Sequence, residues 1–443
     1  MRARFVEGNL FRHVAVMSLT SSVGLMAVFA VDLVNLIFIS MLGRDELAAA
    51  IGYAGALLFF TTAIGIGASI ASGALVSQAV GAGERARARE TATNTVVYGV
   101  AVGIACAVAV WIWLDPLVGL LGAEGPTRAL AVDYLRIVMI AQPVLMLGMC
   151  ATAVLRAHGD ARRAMMATVW GAVLNAVLDP ILIFGLDMEL AGAAWASVLS
   201  RIVIAVLAIR PILRHYGGFD RPTLAGLTAD LGPVSAIAGP AMLSQLANPA
   251  GQAFVTRAMS AWGEAAVAGM AIAGRLTPVA FGILFALAGA LGPIIGQNRG
   301  AGRMDRVRRA YLDSILFTGV VIIVVSALLF VLRAPLADLF SAEGLTRELV
   351  YLFCGPLALL FFFNGLIVIA NATCNNMGRP FWSTVLNWGR HTAGTVPFVM
   401  LGGAWYGAHG VLIGQYLGGV VFGLVAAWVG WRAVCPRPSR AGT

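Results

Sequence analysis

The chain contains no lysine, and charge of either sign is scarce. Of its 443 residues 12% are charged and 60% apolar. A soluble domain has roughly 25% charged and about 45–50% apolar residues. A water-facing surface cannot be covered with half the usual charge, so a soluble enzyme is excluded and an integral membrane protein is expected. With no lysine there is no Walker loop, which removes ATP as an energy source. Cysteine is also sparse. Cys106, Cys150, Cys354, Cys374 and Cys435 include no C-x-x-C pair, so a disulfide framework is not expected and the thiols read as helix packing. The five histidines, His13, His158, His215, His391 and His409, show no metal-ligand spacing. No cofactor is expected.

What the chain has instead is glycine, 52 residues of it, and long apolar runs. Glycine lets transmembrane helices approach backbone to backbone. Charged and Gly/Pro-rich breaks leave twelve apolar segments, near 14–42, 48–77, 92–114, 130–155, 164–186, 190–211, 231–257, 265–296, 309–333, 348–373, 381–401 and 407–431. Each reaches or exceeds the ~20 residues that cross a bilayer. The first run continues past Asp32 to about Gly43, too long for a signal-peptide core. Twenty-one arginines fall in the N-terminus, the even-numbered loops and the C-terminus. The odd-numbered loops hold five, Arg44, Arg128, Arg257, Arg333 and Arg347. By the positive-inside rule both termini are expected in the cytoplasm, and the protein in a bacterial-type inner membrane. These arginines are short clusters at helix ends, not interleaved with aromatics, so the net charge of +9 does not point to nucleic acid. Trp111, Trp113, Trp262 and Trp405 at one set of span ends, and Trp382, Trp428 and Trp431 at the other, form an aromatic belt.

The chain repeats itself at an offset of 219 residues. QAVGAGERARAR at 78–89 matches QNRGAGRMDRVR at 297–308, Pro116 falls on Pro335, Ala123-Glu124-Gly125 on Ala342-Glu343-Gly344, and Gly159 on Gly378. Each repeat holds six spans, so both insert in one direction. An all-α polytopic fold is expected, with twelve transmembrane helices in two six-helix lobes related by a pseudo-twofold along the membrane normal and a binding cavity between them. The lobes are placed at 1–212 and 231–443, joined by a cytoplasmic linker at 213–230.

Two acids lie where none should. Asp32 is deep in the first span, in FAVDLVNLIF, and Asp179 in the fifth, in VLNAVLDPILIF. A carboxylate at the bilayer centre costs at least ~2.5–3.5 kcal/mol, and such residues normally face a cavity and carry protons or ions. The alternative is a packing acid neutralised by a basic neighbour. Arg136, Arg201, Arg275 and Arg390 are the only bases to weigh against it, and by count all sit nearer span ends. Asn175 and Asp179, at i and i+4, share a helix face and can close on one ion or proton. Pro180 follows at once and favours a kink beside the acid. Ser197, in the sixth span, adds a hydroxyl. The offset carries Asp32 to Gly251 and Asp179 to Phe398, so carboxylate chemistry belongs to the first lobe alone. In the second lobe Ser244, Asn248 and Gln252 recur every four residues, and Asn364, Asn371 and Asn375 mark the tenth span. They line a cavity or bond helix to helix.

These residues resemble the multidrug and toxic compound extrusion family. The resemblance rests on the Asp in VDLVNLIF, the GAGER loop, LRAHGDARR after the fourth span, LNAVLDPILIFG in the fifth and GQNRGAG after the eighth, and it covers nearly the whole chain. It implies a non-enzymatic secondary antiporter, a monomer, that exports amphipathic, often cationic, drugs or metabolites in exchange for protons or sodium. It further implies that Asp32, Asn175 and Asp179 form the proton or sodium site of the DinF-like branch, with Ser197 where that branch often has Thr. The acids of the NorM-like branch in the seventh and tenth spans are absent. Two rivals remain: a lipid-linked oligosaccharide flippase of the same superfamily, and an intramembrane protease, whose YD and GxGD motifs do not occur here.

Overall fold

The computed structural model describes residues 3–42 and 44–435, and every regular element among them is helical. Apolar runs interrupted only by Gly, Pro or charge leave the backbone no way to satisfy its polar groups in lipid except helix. The first six spans are Leu10–Ser40, Asp45–Gly81, Arg85–Ile112, the pair Gly125–Ile140 and Gln142–Ala157, Ala161–Pro180, and Glu189–His215. The next four are Leu224–Ser260, the pair Glu264–Ala280 and Gly282–Gly300, Met304–Leu339, and Gly344–Asn376. The fourth span bends by 50° and the eighth by 45°. The stretch Phe381–Val434 runs 54 residues but breaks at Tyr406 and Gly407, whose φ of +58° only glycine adopts freely, so it supplies the eleventh and twelfth spans. The fold is therefore all-helical, with twelve spans.

The repeat is written into the backbone. Gly83 and Gly302 turn the chain after the second and eighth spans with φ of +79° and +70°, 219 residues apart. The last hairpin of each half agrees too. Asp187 (φ +53°) reverses the chain between the fifth and sixth spans, and the Tyr406–Gly407 break lies at the same offset. The eleventh and twelfth spans meet backbone to backbone. A Cβ at Gly410 would overlap Gly402, at Gly414 Phe398, and at Gly418 Gly394. All seven belt tryptophans keep exposed rings.

By internal contacts the chain divides into one unit of Val23–Met242 and a second of Arg4–Ser22 with Leu243 onward. This differs from the lobes expected at 1–212 and 231–443. Residues 224–242 are already helix and pack in the first unit, where Val234, Ile237 and Ala238 bury against Ala71 and Ala74. Asp230, inside the expected linker, is 1% exposed; it accepts from Asn94 Nδ2 at 2.8 Å and pairs with Arg87. Conversely Phe5 belongs to the second unit. Its N–H donates to Gln297 Oε1 at 2.9 Å and its carbonyl accepts from Asn298 Nδ2 at 3.1 Å and Arg306 at 3.0 Å. Of the expected linker at 213–230, only 216–223 is open chain. Arg2, Gly43, Arg437 and Arg440 lie outside the described residues.

Candidate functional site

In the first unit the fifth span winds as ordinary helix to Pro180, with Asn175 and Asp179 both buried. Their i,i+4 spacing is used: Asn175 Nδ2 donates to Asp179 Oδ2 at 2.8 Å. The other oxygen, Asp179 Oδ1, is buried with no hydrogen-bond partner. Pro180 keeps helical dihedrals (φ −65°, ψ −31°), so the expected kink is replaced by a widened turn over Ile181–Gly185, closed from Leu186 N to Ile181 O at 2.9 Å. Such i→i+5 turns gather at functional sites because they spoil the regular ladder.

The first span brings Asp32 to the same unit, and Gly24 packs against Met165 and Thr168 of the fifth. Asp32 is exposed and has no hydrogen bond or ion pair among the described residues. One turn on, Asn35 Oδ1 is buried and has no partner. Tyr134 of the fourth span ties the group together. Its phenol lies beside Ser197 and within electrostatic range of Arg201, Asp179 and Asp32. Thus Asp32, Asn175, Asp179 and Ser197 gather in one unit around a tyrosine that sequence reasoning passed over. A buried Tyr with a polar tip, Asn35 three residues after Asp32, and Arg201 four after Ser197 were the available signals.

Arg201 corrects the placement of bases near span ends. It stands in the middle of the 27-residue helix Glu189–His215, its Nη1 donating to the Val138 carbonyl at 3.2 Å. Arg201 is residue 12 of the 22 at 190–211, so the apolar run itself already sets it at mid-span and the expectation of a terminal base is a miscount. Arg390 is likewise interior, about 14 Å along the eleventh span from Phe381 at 1.5 Å per residue. Among the described residues no three His, Cys, Asp or Glu side chains gather as for a metal ion. A sodium ion would instead draw on Asp32, the Asn175 amide and the unpartnered Asp179 Oδ1, a hard oxygen set that suits a hard cation.

The second unit splits its candidates. Ser244 is spent on helix contact: its hydroxyl donates to the Ser383 carbonyl at 3.1 Å and accepts from Asn387 Nδ2 at 2.7 Å. Gln252 Oε1 accepts from Gln415 Nε2 at 3.2 Å. Asn248 is exposed, and Asn364 and Asn371 each bury a side-chain oxygen without a partner. Asn375 accepts from Ser383 at 3.2 Å.

A family model described as MatE matches this chain twice, over residues 20–181 and 240–400. The two matches start and end within a residue of the 219-residue offset. A FAD transporter from Shewanella oneidensis is 29% identical over 441 residues, covering 96% of this chain and 95% of its own. The multidrug export protein MepA of Staphylococcus aureus is 24% identical, covering 78% of this chain and 77% of its own. Among solved structures, the Vibrio cholerae MATE transporter VcmN superposes with a TM-score of 0.89 at 26% identity, covering 96% of both chains.

Proposed function

The chain belongs to the MATE family of transporters, and from that premise we propose that it exports amphipathic drugs or metabolites, cationic ones among them, by antiport against protons or sodium. The observation that carries the coupling is the buried Asp179 carboxylate, one oxygen held by Asn175 and the other free, on the helix that widens at 181–185. Asp32 offers a second, exposed carboxylate in the same unit. Loading a proton or sodium on this pair removes a mid-membrane charge. Release restores it, so occupancy changes which arrangement of the first and fifth spans is favoured. A gradient of one pH unit supplies ~1.4 kcal/mol per proton and a 100 mV potential about 2.3 kcal/mol per charge.

The arginine bias supports cytoplasmic termini, and the protein is proposed to act as a monomer in the bacterial cytoplasmic membrane. Ser244, Asn248, Gln252, Asn364 and Asn371 are proposed for cargo, with Asn248, Asn364 and Asn371 the freer groups. The name of the Shewanella relative adds a flavin nucleotide to the substrates to try. A lipid-linked oligosaccharide flippase is the second reading, favoured by Arg390 inside the bilayer and opposed by the paired acids.

The test is ethidium uptake into proteoliposomes driven by an imposed pH gradient or, separately, a sodium gradient. Wild type should transport under one of them, and Asp32→Asn and Asp179→Asn should each lower the rate at least tenfold. Undiminished transport in both variants would overturn the coupling site.

A further inference from the structure

Repeat positions let the two units be compared residue by residue. Around the acids of unit 1 stand Tyr134 and Ser197; 219 residues on are Phe353 and Tyr416, which again meet, ring centroids 6.5 Å apart. The two carboxylates have no counterpart. At the position of Asp32 stands Gly251, and the His391 ring occupies the space a side chain there would fill. His391 is 8% exposed, and its neighbour Arg390 begins the widened turn Arg390–Gly394. Arg390 lies within electrostatic range of Tyr416 and against Gly419, and Tyr416 in turn lies beside Thr277 and near Cys354. Gln252 and Gln415, next in the chain to Gly251 and Tyr416, bond to each other at 3.2 Å. Five of the six spans of unit 2 therefore converge on one polar cluster.

Its charge is one-sided. From Leu231 on, the seventh, eleventh and twelfth spans contain no Asp or Glu, the one buried acid of this unit, Asp313, pairs with Arg309, and Arg390 makes no ion pair among the described residues. Arg390 Nε is buried with no hydrogen-bond partner. A guanidinium stays charged at any physiological pH. An interior charge with neither counter-ion nor full hydrogen bonding is costly, and the remedy is an anion. The planar fork of Arg, with a phenol in range, supplies donors suited to a phosphate or carboxylate.

We propose that the Arg390–His391 cluster of unit 2 binds the anionic group, phosphate or carboxylate, of the molecule this protein transports. The proposal rests on the transporter reading and deepens it: the cargo is an amphipath with a negative pole, held in the unit that lacks the coupling acids. Unit 1 is acidic and takes a cation; unit 2 is basic and takes an anion. Gly251 makes room for the His391 ring, which a side chain at that position would displace.

The experiment is thermal unfolding of the purified full-length protein in detergent, followed by circular dichroism. The probes are riboflavin 5′-phosphate against riboflavin for a soluble source of phosphate, and phosphatidic acid against diacylglycerol for a lipid source. At least one phosphorylated probe should raise the wild-type midpoint by several degrees, and its phosphate-free partner by less than a third as much. The shift should vanish in Arg390→Gln and persist at least by half in Arg390→Lys, each variant's ligand-free midpoint reporting its own folding. No shift with either phosphate, equal shifts with the phosphate-free partners, or an undiminished shift in Arg390→Gln would overturn the site. The antiport reading has its own readout. If ethidium fails to move under either gradient while the phosphate shift stands, the antiport falls and the anion site remains; the converse removes the anion site alone.

Discussion

Replacing Gly410 by Ala tests the packing that carries the Arg390 cluster. A Cβ at Gly410 would sit 3.0 Å from the Gly402 Cα and closer still to its carbonyl, where ordinary contact begins at 3.4 Å. Both partners are backbone, so no rotamer change relieves the overlap, and the eleventh and twelfth spans must part by about 1 Å. A gap of ~0.5–1 Å forfeits roughly a quarter to a half of each dispersion contact across it. Three glycine contacts share this seam, at Gly410, Gly414 and Gly418. Overpacking of this kind costs about 1–3 kcal/mol. Alanine's better helix propensity returns up to ~1 kcal/mol. A net loss near 2 kcal/mol lowers the midpoint of a unit this size by about 4–8 °C. The matched control is Gly274→Ala in the eighth span, where an added Cβ meets nothing within 4 Å. The assay is thermal unfolding of both variants in detergent beside wild type. Gly274→Ala should melt at or above wild type and Gly410→Ala clearly below it. A Gly410→Ala protein as stable as the control would refute the backbone-to-backbone seam.

Asp160, in the turn before the fifth span, caps the helix and accepts from Tyr216 at 2.7 Å and from Arg163 Nη1 at 2.6 Å. Burial alone would raise its carboxyl, but these bonds outweigh burial and hold it below its ordinary 3.8. Its contribution is complete above about pH 4 and is lost as pH falls through the lowered value. Asp160→Asn, which keeps a capping oxygen, should cost about 1.5–3 kcal/mol at pH 7, and the gap to wild type should close toward pH 3; a gap unchanged by acid would sink the assignment. Asp230→Ala should cost about 2 kcal/mol in the same melt, because it strands the buried Asn94 amide and leaves Arg87 with Glu90 alone. A neutral result there would mean the 224–242 helix does not depend on this anchor.

Most of the fold was readable because lipid simplifies the problem. Composition gave the class, twelve apolar runs gave the spans, and the offset of 219 aligned the two halves down to Gly83 and Gly302. Asp32 and Asp179 stood out because carboxylates are so unfavourable at that depth. What escaped were residues whose importance depends on tertiary neighbours. Tyr134 reads as one more amphipathic aromatic until the fold sets it beside Ser197 and within range of both acids. Arg201 and Arg390 stand in the middle of the runs at 190–211 and 381–401, but an interior base carries no assignment until the groups around it are known. The widened turns at 181–185, 353–357 and 390–394 leave no composition signal, because one extra residue per turn changes packing rather than hydropathy. The unit boundary was placed by polarity at 213–230, whereas helix packing carries it to Met242.

That boundary has a consequence for biogenesis. Residues 4–22 find their partners at Gln297, Asn298 and Arg306, nearly three hundred residues downstream, while 224–242 complete the unit that begins at Val23. During synthesis the amino-terminal strip therefore waits, without its Phe5 anchor, until the eighth span has emerged. A gene split at the end of the sixth span would give two fragments, each missing the strip that finishes its own core and each carrying the other's. Expressed apart, both are incomplete; expressed together, they hold complementary pieces.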